Sequence, residues 1–108
     1  MKKALIIHGW ESNSQDHWFQ DEKKYLESIG YKVLVPDMPY TMKPKMDEWV
    51  KIVKDFSPDE ESVLIGHSLG APTILRFLKM LSKRSEKFFL LLVLPALWIL
   101  IIRMPNIL

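Results

Sequence analysis

The segment Ser62–Gly70, Ser-Val-Leu-Ile-Gly-His-Ser-Leu-Gly, leaves this chain few possible folds. Ser62–Ile65 is a short apolar run suited to a buried strand. A helical pattern begins near Leu69 and runs to Ser82, with Ile74, Leu75, Leu78 and Leu81 expected on one face. Between them, Gly66-His67-Ser68-Leu69-Gly70 must turn the chain from strand to helix within a few residues. So sharp a turn crowds backbone against backbone, which glycines permit. It lifts the Ser68 hydroxyl above the sheet edge, at a helix N-terminus where positive potential favours an oxyanion. A bare G-x-S-x-G pattern is weak, but between a strand and a helix it points to a nucleophilic serine. The alternative is a Gly-rich turn whose Ser caps the helix.

The preceding sequence alternates in the same manner. Ala4–Ile7 reads as a first buried strand ending at His8-Gly9. Asn13 or Ser14 is placed to cap a helix starting near Gln15. Trp18, Tyr25, Leu26 and Ile29 follow at helical spacing, and Gly30 stops that helix. Tyr31–Val35 is the second strand, and Pro36, Pro39 and Pro44 mark a loop. Met46, Trp49, Val50, Val53 and Phe56 line a second helix, and Phe88–Leu94 suggests a fourth strand. The order β-α-β-α-β-α-β predicts an α/β fold, a parallel sheet with helices on both faces.

The turn after the first strand can complete the site. Trp10 would supply a second oxyanion N–H beside that of Leu69, with Gly9 and His67 bordering the substrate. His8 reads as a structural residue rather than a general base.

Joined together, these pieces have a family resemblance. His8-Gly9-Trp10-Glu11-Ser12, Asp16-His17-Trp18-Phe19, Val35-Pro36-Asp37-Met38-Pro39, Asp47-Glu48-Trp49-Val50 and Gly66–Thr73 resemble the retinoblastoma-binding protein nine and YdeN-type serine hydrolases. The resemblance covers about residues 1–90. It implies a three-layer α/β-hydrolase fold, an esterase-like acyl-enzyme mechanism with Ser68 as nucleophile, and a small ester or peptide-like amide as substrate. His17 and Trp18 read as helix packing near the site, and Asp37 as a loop residue.

That family orders its triad as Ser, then Asp or Glu, then His. After Ser68 the sequence holds one acidic residue, Glu86, and no histidine. The triad acid and base are therefore missing from these residues, and weak or no activity is expected.

The composition breaks where the pattern does. From Phe88 to Leu108, 17 of 21 residues are hydrophobic, and all 13 acidic residues lie at or before Glu86. Residues 91–108 can be back-translated so that a reading one base earlier gives Val-Ala-Gly-Phe and a soluble, acidic continuation. Some letters are forced: Trp98 before Ile99 yields an Asp codon, and Met104 before Pro105 an Ala codon. The expectation is a hydrolase portion over 1–90 followed by an aberrant tail over 91–108 produced by a frameshift. Such a tail is expected to find no partner on the sheet and to make the chain poorly soluble.

The remaining composition excludes several classes. The net charge of +2 provides no field for nucleic acid. The absence of cysteine excludes disulfides, thiolate metal sites and a Cys nucleophile. Neither metal nor cofactor is needed for this chemistry. Ala4–Ile7 is too short an apolar run for a signal peptide, which predicts a cytoplasmic protein. Phe88–Ile102 falls short of the ~20 residues of a spanning helix and is interrupted by Pro95. Two other readings compete with a hydrolase: a non-catalytic binding module with a hydrolase-like cleft, and a small membrane-associated protein.

Overall fold

A computed structural model describes residues 2–81, 92–94 and 99–103. The elements are β1 (Lys3–Ile7), α1 (Phe19–Ser28), β2 (Lys32–Leu34), α2 (Met46–Phe56), β3 (Val63–His67), α3 (Gly70–Leu81), β4 (Leu92–Leu94) and β5 (Ile99–Arg103). They form one sheet in the order β2-β1-β3-β5-β4. β1 runs parallel to both β2 and β3, as βαβ crossovers require. The fold is α/β-hydrolase-like.

Alternation along the strands divides the core between two faces. Leu5, Ile7 and Leu64 pack with Trp49, Val50 and Val53 of α2 and with Ile74, Phe77 and Leu78 of α3. Ala4, Ile6 and Ile65 pack on the other face against Phe19 and Leu26 of α1. Successive side chains of a strand point to opposite faces, so a continuous apolar run supplies both layers.

Several helix details differ from the sequence pattern. α1 begins at Phe19, four residues later than expected. The Asn13 side chain instead accepts from the Gln15 N–H at 2.8 Å, closing a local turn. His17 then takes a positive φ of 53°, which no helix can continue through. On α3 the buried face is Gly70, Thr73, Ile74, Phe77 and Leu78, while Leu75 and Leu81 are exposed. That set keeps the i, i+3, i+4, i+7, i+8 spacing, with Phe77 taking the place expected for Leu75. Gly30 ends α1 at φ 99°, and the Tyr31 N–H returns to the Leu26 carbonyl at 3.0 Å.

The tail departs most from the expected arrangement. β5 pairs antiparallel with β3 from Val63↔Arg103 to His67↔Ile99, and β4 pairs antiparallel with β5. In place of the single fourth strand expected over Phe88–Leu94 there is a β4–β5 pair, with β5 against β3; residues 88–91 lie outside the described residues. The expectation of an unpartnered tail is corrected over 99–103. Leu100 and Ile102 are buried with the α2–α3 core, and Ile99 and Ile101 pack on the α1 face. A strand apolar on both sides suits a position inside a sheet covered on both faces, and a hairpin needs no crossover helix to reach it.

Candidate active site

The turn after β3 holds Ser68 at φ 54°, a left-handed conformation unusual for a residue with a Cβ. Its flanking glycines are imposed by contact. A Cβ on Gly66 would lie 2.5 Å from the Gly70 carbonyl carbon, and one on Gly70 would collide with the Ile7 carbonyl oxygen. β3, the turn and the start of α3 are therefore pressed against the end of β1. The Ala71 N–H donates to the Ser68 carbonyl at 3.0 Å, and α3 runs on from Gly70. Ser68 itself is exposed at the surface.

The loop after β1 approaches from the other side. A Cβ on Gly9 would lie 2.7 Å from the Ser68 Cβ and 3.2 Å from its Oγ, so only glycine fits beside the serine. His8 anchors this loop from within the core. Its Nε2 accepts from the Met38 N–H at 2.9 Å, so Nδ1 carries the proton and donates to the Gly9 carbonyl at 2.9 Å. Its ring also meets Trp49 edge-on at 5.8 Å. With both nitrogens engaged, His8 is a brace between two loops and not an available base. Asp37 braces the same region: it accepts from the Ser14 N–H at 2.7 Å, and its bonds to Ser14 hold its carboxyl below the ordinary range.

A cavity of about 640 Å³ opens beside Ser68. Its other lining residues are Trp10, Pro44, Met46, Trp49, Leu69 and Pro72. Trp10 Nε1 donates to the Met42 carbonyl at 3.1 Å, and the Glu11 N–H donates to the Thr41 carbonyl at 3.1 Å. These bonds join the loop after β1 to the loop before α2 and set the width of the mouth.

His67 lies elsewhere. Being two residues beyond Ile65, it falls on the α1 face of β3, opposite the cavity. Its ring packs 4.8 Å from His17, 5.7 Å from Phe19 and 5.9 Å from Trp18, centroid to centroid. Burial, then the nearby His17, pushes its pKa below the ordinary value of 6.5. The unfolded chain therefore binds more protons just below that value, and stability rises with pH through the window. Denaturation midpoints are expected to fall as the pH drops from about 8 to about 5, and His67→Phe to flatten this slope; an unchanged slope would refute the assignment.

Sequence reasoning drew Ser68, Leu69, Trp10 and Gly9 together, and the structure brings these four together around one turn. It did not single out Pro44, Met46, Trp49 and Pro72 as cavity walls. Met46 and Trp49 had appeared as core positions at helical spacing, and nothing local distinguishes a cavity-lining apolar residue from a core one. Among the described residues no group of three or more His, Asp or Glu side chains could hold a metal ion, and no helix is long and apolar enough to cross a membrane.

A serine held in a left-handed turn between strand β3 and helix α3, beside an apolar cavity, matches the strand–turn–helix pattern of the α/β-hydrolases. A family model described as serine hydrolase matches residues 4–99, and the chain belongs to that family. YdeN of Bacillus subtilis (strain 168), which carries a hydrolase name, is 36% identical over 87 residues, covering 79% of this chain and 46% of YdeN. The crystal structure of the ydeN gene product from B. subtilis is similar with a TM-score of 0.67 at 36% identity, over 72% of this chain and 43% of that one. The chain thus spans about half the length of YdeN.

Proposed function

We propose that this chain is the nucleophile-bearing part of a serine hydrolase that cleaves a small ester or peptide-like amide through an acyl-enzyme. Ser68 Oγ attacks the carbonyl carbon, and the N–H groups of Leu69 and Trp10 receive the oxyanion. Among the described residues, neither amide donates to a backbone carbonyl. Gly9 borders the substrate through its contact with Ser68, whereas His67, expected beside it, packs on the α1 face away from the cavity. The observation that carries this reading is Ser68 at φ 54° between glycines whose Cβ positions are blocked. Such strain persists where the surrounding structure imposes it, and it clusters at reacting groups.

Attack needs a base for the Ser68 proton. His8 has both nitrogens bonded, and His17 and His67 pack together on the α1 face. We therefore propose that residues 1–90 correspond to the first part of the hydrolase domain, that 91–108 replace its continuation through a frameshift, and that these 108 residues hydrolyse weakly or not at all. We also place the protein in the cytoplasm, which its cysteine-free composition suits; recovery in a secreted fraction would contradict that.

A fluorophosphonate probe tests the chemistry. The 108-residue chain is expected to label faintly, and the same gene with its frame restored to label strongly at Ser68. Strong labelling of the 108-residue chain would overturn its inactivity. Failure of the restored protein to label would overturn the role of Ser68.

A further inference from the structure

We infer that the cavity beside Ser68 is an acyl pocket selective for an uncharged, medium-length aliphatic chain. This deepens the hydrolase reading and rests on it for the identity of the reacting end. Among the described residues every lining side chain other than Ser68 is apolar: Trp10, Pro44, Met46, Trp49, Leu69 and Pro72. Among the described residues no lining side chain carries a charge, so a carboxylate or ammonium drawn into the cavity would lose hydration without gaining a partner there. Lys43 and Lys45 flank Pro44 in sequence, but both are exposed and neither lines the cavity; Lys45 instead lies 6.0 Å from the Tyr40 ring centroid.

The volume of about 640 Å³ is far more than an acetyl group fills and lies within the range of pockets that enclose small organic ligands. The walls are held in place. Trp49 is fully buried, and its Nε1 donates to the Pro39 carbonyl at 2.8 Å. Trp10, more than half exposed, donates from Nε1 to the Met42 carbonyl at the rim. The Thr73 hydroxyl donates to the Leu69 carbonyl at 2.8 Å and lies 3.6 Å from the Met46 sulfur. Walls fixed on several elements present a formed apolar surface, and each methylene added to an acyl chain is then removed from water.

Binding rather than turnover is the test, carried out on the 108-residue Ser68→Ala protein by Trp emission. The ligands are methyl esters of straight-chain acids from propanoate to octanoate. Affinity is expected to rise by about fourfold per methylene until the cavity is full. Monomethyl octanedioate, which places a carboxylate at the far end, is expected to bind at least tenfold more weakly than methyl octanoate. Met46→Lys is expected to reverse that preference. A flat chain-length series, or equal binding of the charged and uncharged esters, would overturn the proposal. The series needs no pocket variant, so it decides the matter even if Met46→Lys does not fold. Because the nucleophile is absent throughout, a failure here counts against the pocket, whereas absent labelling of the frame-restored protein counts against Ser68.

Discussion

Gly70→Ala is expected to unfold the chain or to lower its stability by about 4 kcal/mol, at the upper end of single-residue effects. The added Cβ would collide with the Ile7 carbonyl oxygen. Ile7 cannot retreat, because β1 lies between β2 and β3 and Ile7 is in register with Gly66. Gly70 cannot retreat either. It opens α3, and its carbonyl carbon sits where a Cβ on Gly66 would lie 2.5 Å away. Two backbone segments therefore meet at a point with no flexible side chain between them. Gly30→Ala is the control. Gly30 has the less tolerant backbone, at φ 99°, yet nothing lies within 4 Å of its Cβ position. It is expected to cost only about 1–2 kcal/mol, the conformational penalty alone. Chemical denaturation of the two variants separates the effects. If Gly30→Ala proved as damaging as Gly70→Ala, the contact with Ile7 would not be the cause.

The same contrast shows what was legible in the sequence. β1 and β3 are short apolar runs between amphipathic helices, and their burial on two faces is written into that pattern, whereas β2, with Lys32 and Leu34 exposed, lies at the sheet edge. The turn at Gly66–Gly70 was legible because a strand, a glycine pair and a helix leave one way to connect. The late start of α1 was not, since the helix is delayed by the positive φ at His17 and no local signal marks that residue. The α1-side orientation of His67 could have been found by counting: Leu64, Ile65, Gly66 and His67 alternate, and Ile65 already belongs to the α1 layer. The antiparallel β5 could not. A strand apolar at every position, such as Ile99–Ile102, has no alternation to fix its direction or its neighbour. The cavity walls were hidden for a related reason, because Met46 and Trp49 satisfy the core pattern of α2 while also facing open space.

Ser68→Gly and Ser68→Ala are expected to part company in stability while agreeing in activity. In the frame-restored hydrolase both should abolish fluorophosphonate labelling, and turnover should fall on the order of 10⁶-fold if Ser68 is the nucleophile. Neither glycine nor alanine can form the acyl bond. Stability divides them, because Ser68 sits at φ 54°. Glycine adopts that conformation without a Cβ penalty, so Ser68→Gly is expected to raise stability by about 1 kcal/mol, after allowance for the greater freedom of the unfolded chain. Alanine keeps the Cβ, and with it the strain and the close approach to Gly9. Ser68→Ala should therefore leave the denaturation midpoint within about 0.5 kcal/mol of the parent, as surface changes do. Because the strain belongs to the turn, the 108-residue chain should show the same stability difference even without turnover. A Ser68→Gly protein no more stable than Ser68→Ala would mean that the turn imposes no penalty, and would remove the strain argument for a poised nucleophile.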